Sequence, residues 1–213
     1  MSVFQPRRRE DLQRRLAAMK LDLGCFEKAL ARGVAEAASY SAGAPKAGPE
    51  LGRWLRTVEA LHDELIGLQR DWERKDPMGQ PTWLNPSLQT AIVVSSGDEN
   101  CGMVTGSEPS NRNPKGLSFG ALVAANEQLR FFDTLSESGK MVNINETWVF
   151  LYYAREGFVY SELSVPIVLS GSYIESWHER IIFPPFDDGT NTFETVADEP
   201  EPGQDFGFTI QRR

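Results

Sequence analysis

Residues that anchor disulfide or metal frameworks are scarce: 213 positions contain two cysteines and two histidines. Cys25 falls in a helical pattern and Cys101 in a polar stretch, without bridge or ligand spacing. A disulfide scaffold is excluded, and both read as free thiols of a cytoplasmic chain. Long hydrophobic runs are also missing, and nothing approaches the ~18 apolar residues of a membrane span. Arg7, Arg8 and Arg9 precede Glu10 and Asp11 rather than the apolar stretch of an export signal. The patterns GxxxxGK[ST], GxGxxG and GxSxG are all absent, as is any internal repeat. These absences remove the commonest phosphate-loop, dinucleotide and serine-hydrolase readings. What remains is 40% hydrophobic, enough to bury a core.

The net charge of -8 is uneven. Residues 1–80 hold 14 Lys and Arg against 12 Asp and Glu, whereas residues 81–213 hold 8 against 18. A general nucleic-acid binder needs a basic stripe to displace counterions from phosphates, and the C-terminal part has the wrong sign.

The first 80 residues predict an antiparallel helical hairpin. Leu12, Leu16, Met19, Leu23, Phe26 and Leu30 are spaced four and three apart, which keeps them on one stripe of a helix over 10–38. Ser39 to Gly48 punctuates the chain with glycine and proline. Pro49 suits the first turn of a second helix. Trp54, Val58, Leu61, Leu65, Leu68 and Trp72 repeat the same coiled-coil spacing, up to the stop at Asp76-Pro77-Met78-Gly79. Leu51, Leu55, Leu61 and Leu65 are candidates for an interface with a protein partner or a second copy.

Residues 81–213 predict a mixed α/β or α+β domain with a largely antiparallel sheet and at least one packed helix. Thr90 to Val94 reads as a buried strand and 117–135 as a helix. Residues 147–154 and 158–165 form strands joined by the tight turn Arg155-Glu156-Gly157, with a further strand at 174–183. Alternation places Trp148, Phe150 and Tyr152 on one face and Val149, Leu151 and Tyr153 on the other, so the hairpin is expected to be central and covered on both sides. Residues 187–205 are acidic and rich in turn formers, which predicts an exposed loop; 206–210 predicts a short edge strand.

Residues 95–116 form a long polar connection between a strand and a helix, the kind of loop that carries function in compact domains. Ser95, Ser96 and Gly97 would let a ligand approach the backbone, while Lys115 and Gly116 lie where helix-start amides attract anions. These five residues are the ligand-binding candidates, for a nucleotide or another small anion. Asp98, Glu99 and Glu162 are the carboxylates for a rival reading, a phosphodiesterase or nucleotide hydrolase using Mg²⁺. They have no fixed spacing, so the leading expectation carries neither a metal nor another cofactor. That leading expectation is a non-catalytic binding or regulatory protein, docking or self-associating through its hairpin, with 95–116 as its recognition surface. A nucleotide sensor is the third reading.

Overall fold

In the computed structural model, the apolar stripe of the N-terminal helices lies against a mixed β-sheet. The structure describes residues 1–67, 71–135 and 145–189, with backbone alone for 131–135. In chain order the elements are β1 (Ser2–Phe4), α1 (Arg9–Ala18), α2 (Leu23–Ala38), α3 (Gly48–Gly67), β2 (Glu73–Lys75), β3 (Thr82–Asn85), β4 (Thr90–Ser96), α4 (Leu117–Leu135), β5 (Glu146–Arg155), β6 (Phe158–Ser170), β7 (Tyr173–Ile182) and β8 (Phe186–Asp187). A single 3₁₀ turn over Pro77–Gly79 follows β2. The strand order is β1-β7-β6-β5-β4-β3-β2, with β8 beside β6. β4 pairs with β5 and β1 with β7 in parallel, and every other pairing is antiparallel. The β4–α4–β5 segment is therefore a crossover unit inside a mostly antiparallel sheet.

Both faces are covered by the chain itself. Trp148, Phe150 and Tyr152 point toward α1–α3, together with Ile92 and Val94 of β4. Val93, Val149 and Leu151 point the other way and meet Phe119 and Val123 of α4. Phe26 of α2 seats on the sheet with its ring centroid 4.7 Å from Phe150 and 5.2 Å from Phe183. The expected hairpin forms between α2 and α3, but it is no free-standing arm. Its buried stripe lies on the sheet, and β1 and β2 extend the sheet at its two edges.

The helix expected over 10–38 is two helices. Asp22 caps α2 by accepting from the Gly24 amide at 2.7 Å, and Gln13 braces it with bonds to Asp22 and the Leu23 amide. Lys20 adopts φ 56°, and its ammonium is held by Asp71 at 2.7 Å and Ser87 at 2.8 Å. The stripe survives the break, because Leu12, Leu16, Met19, Leu23, Phe26 and Leu30 are all buried. Trp72 was expected on the second helix, yet α3 spans only Gly48–Gly67. After Asp71, at φ 62°, Trp72 turns inward and donates its indole N–H to the Lys20 carbonyl. Both cysteines are free and buried. Leu68, residues 206–210 and nearly all of the acidic segment lie outside the described residues.

Gly33 sets the approach of α2 to α3. A β-carbon there would meet Thr57 Oγ1 at 2.2 Å and the Arg53 carbonyl at 2.9 Å. On a free helix, Gly→Ala gains about 1 kcal/mol. Here the sign should reverse, with Gly33→Ala costing about 1–3 kcal/mol in urea unfolding because two backbones must separate.

Candidate functional site

The long connection after β4 is held by the chain's own hydrogen bonds. The Gly97 amide donates to the Tyr152 carbonyl, and Gly97 bridges to Asn111. Asn111 donates to the carbonyls of Asn113 and Ser172 and accepts from the Ile174 amide. Trp177 donates its indole N–H to the Pro109 carbonyl at 2.8 Å. Asp98 accepts from the amides of Asn100 and Ser110, both at 3.1 Å. Burial pushes its carboxyl up from the ordinary value, while those amides pull the other way.

Pinned in this way, the loop faces the start of α3 across an open crevice of about 460 Å³. Lys46 and Ala47 come from the connection before α3; Glu50, Leu51 and Trp54 come from α3 itself. Ser96 closes the floor at the carboxyl end of β4, and Arg112, Asn113 and Lys115 form the opposite wall. Crevices at the carboxyl ends of parallel strands are a recurrent ligand location in α/β sheets. Lys46, from the connection before α3, and Arg112 and Lys115, from the loop after β4, line one crevice that contains a single carboxylate, in a chain whose net charge is -8. Glu50 lies 3.4 Å from Arg112 and 3.6 Å from Arg53. Lys115 is half-buried with Nζ 5.4 Å from the Phe119 ring centroid, and burial lowers its pKa to about 8. The first turn of α4, which begins two residues after Lys115, contains no acidic residue to occupy its positive pole.

Of the five ligand candidates, Ser96 and Lys115 line this crevice. Ser95 is buried and its hydroxyl bonds the Ser96 carbonyl. Gly97 is required by packing, since a β-carbon would meet Leu151 at 2.8 Å and Cys101 at 3.0 Å. Gly116 is exposed and lines a second shallow groove with Leu117, Gly120 and Leu169, which shares Lys115 with the crevice. Sequence reasoning missed Lys46, Trp54 and Arg112. Arg112 had a local signal, because it directly precedes the Asn113-Pro114-Lys115-Gly116 helix entrance.

Two of the three carboxylates expected for metal chemistry have other partners. Glu162 is fully buried and accepts from Arg180 Nε at 2.9 Å, Arg180 Nη2 at 2.5 Å, Ser164 Oγ at 2.8 Å and the Gly102 amide at 2.9 Å. Asp98 is occupied by loop amides, and Glu99 is exposed. Among the described residues no three His, Cys, Asp or Glu side chains are grouped to hold a metal. Of the interface candidates, Leu61 and Leu65 are fully buried inside this chain, whereas Leu51 and Leu55 are 56% and 52% exposed. Leu61 and Leu65 are core residues because α3 turns that side onto the sheet.

No family model, curated protein or solved structure matches this chain. The crevice combines charge with an apolar surface. Its rim can neutralise an oxyanion, and Leu51 and Trp54 offer an apolar wall to the remainder of a small molecule. Among the described residues, no helix is long and apolar enough to cross a membrane.

Proposed function

We propose that this protein binds a small phosphate-bearing anion, such as a nucleotide, without transforming it. The observation that carries the reading is the convergence of Lys46, Arg112 and Lys115 on one crevice. Charge-assisted bonds to phosphate are about twice as strong as neutral ones, and a guanidinium can grip two oxygens together. The same crevice has no histidine in its lining, and its one carboxylate lies between two arginines. Such a set of cations is suited to holding an anion. The loop 95–116 supplies one wall, so ligand occupancy would be reported by the strand and helix that the loop joins.

Calorimetry with inorganic phosphate, pyrophosphate, AMP and ATP tests the reading. Arg112→Ala and Lys115→Ala should each weaken the best binder about tenfold, the equivalent of roughly 1.4 kcal/mol per lost contact. Chromatography should return the ligand unchanged after incubation. A wild-type protein indifferent to all four would overturn the proposal.

Lys115 also gives the binding a pH signature. Its ammonium is present below pH 8 and is lost above it, so affinity should fall between pH 7 and 9. Stability of the free protein should move the other way. Because burial holds the folded pKa below its ordinary 10.5, the unfolded chain binds more protons between about 8 and 10.5. This residue's contribution to stability therefore rises with pH across that window. Lys115→Met should remove both trends.

A further inference from the structure

Among the buried polar atoms that have no hydrogen-bond partner are Nε and Nη1 of Arg53, Oγ1 of Thr57 and the Tyr152 hydroxyl, on residues that do not themselves line the crevice. Buried polar groups are nearly always paired, so a cluster of orphans calls for an acceptor. The Thr57 hydroxyl lies against Gly33 at the helix crossing and is best assigned to that packing. Arg53 and Tyr152 are different. The Arg53 side chain retains 13% exposure, and Tyr152 retains 1%. Tyr152 stands on β5 directly beside Ser96, its register partner on β4 and part of the crevice floor. Its phenol lies in the fields of Glu50, Arg53 and Arg112, and burial pushes its pKa above the ordinary value.

Glu50 connects this inner pair to the rim. One carboxylate oxygen lies 3.6 Å from Arg53 Nε and the other 3.4 Å from Arg112 Nη1. Good charge-assisted bonds are about 2.7–2.9 Å, so both contacts are loose. An oxyanion is thus already stationed between the two guanidinium groups, held too weakly to satisfy Arg53.

We infer that Arg53 and Tyr152 form an inner oxyanion subsite, and that the ligand carries two linked oxyanion groups, as a diphosphate does. The outer group would meet Lys46, Arg112 and Lys115, and the inner group would displace Glu50 from Arg53. This assignment rests on the reading of the crevice as an anion site.

Titrating the full-length chain with inorganic phosphate and with pyrophosphate tests it. Pyrophosphate should bind at least tenfold more tightly, but its extra charge would favour it at the rim too. Tyr152→Phe decides between these causes because it changes no charge. It should weaken pyrophosphate at least fivefold and leave phosphate unchanged. The melting temperature of the free variant should hold or rise, since the lost hydroxyl had no partner. Glu50→Gln, which removes the competing carboxylate, should tighten pyrophosphate. Unchanged pyrophosphate affinity in Tyr152→Phe, or a lower melting temperature for the free variant, would overturn the inner subsite while leaving the rim standing. Failure of the wild type to bind either anion would overturn the crevice reading together with the subsite.

Discussion

Arg180→Met should destabilise the protein by about 3–5 kcal/mol, the loss typical of stranding one member of a buried ion pair. Glu162 is 0% exposed and Arg180 2% exposed, so water cannot replace the missing guanidinium. The carboxylate would keep only the Ser164 hydroxyl and the Gly102 amide. The Met103 carbonyl would lose its Arg180 donor as well. Replacing both partners, Glu162→Met with Arg180→Met, should recover part of the loss because no buried charge remains. Recovery should stop short of wild type, since the Gly102 amide and Met103 carbonyl still need partners. Urea unfolding of the two variants reads this difference. The pair also fastens the loop 95–116 from below, through Gly102 and Met103. Amide exchange over 98–112 should therefore accelerate in Arg180→Met by more than global destabilisation explains. A loss below about 1 kcal/mol would mean that the pair contributes little to holding the sheet.

The contrast between Glu162 and Lys115 shows how far the sequence could be read. Lys115 stands at a helix entrance, a local feature with a local electrostatic consequence, and it does line the crevice. Glu162 lies mid-strand, where it looked like a solvated charge or a metal ligand. Its partner Arg180 is eighteen residues away on the neighbouring strand, where the register sets it opposite Ser164 and diagonal to Glu162. Tyr152 behaves similarly. Alternation correctly placed its ring in the core, but the lack of a partner for its hydroxyl depends on what α3 brings overhead. The apolar stripes were legible because burial tolerates a break in the helix, provided the same residues keep facing inward. The break at 19–22 was not, since Gln13 and Asp71 enforce it from other turns of the chain. The short strands β1, β2 and β8 carry two or three residues each and have no period to detect.

Asn126→Ala should cost about 3–5 kcal/mol, although it removes only a small polar side chain. Asn126 is fully buried on α4 and donates to the carbonyls of Thr147 and Pro166 at 2.8 and 2.9 Å. It also accepts from the Thr147 amide at 2.7 Å. Truncation therefore strands three backbone groups that water cannot reach, at about 1–3 kcal/mol each before relaxation. Pro166 interrupts the β6–β7 register, so its carbonyl has an irregular strand beside it and relies on this amide. Asn126→Asp separates hydrogen bonding from size. The new carboxylate would still accept from Thr147 but would face two carbonyls where the amide had donated. Its pKa should consequently be raised, and the variant should be least stable at neutral pH. Stability relative to wild type should improve as pH falls and the protonated carboxyl again donates to one carbonyl. Urea midpoints at pH 7 and pH 5 check the sign. The same amide fixes α4 against β5 and β6, and Lys115 lies two residues before α4 begins at Leu117. A variant that remains folded but lets α4 shift should lose anion affinity without losing any crevice residue, because the wall depends on the helix that carries it.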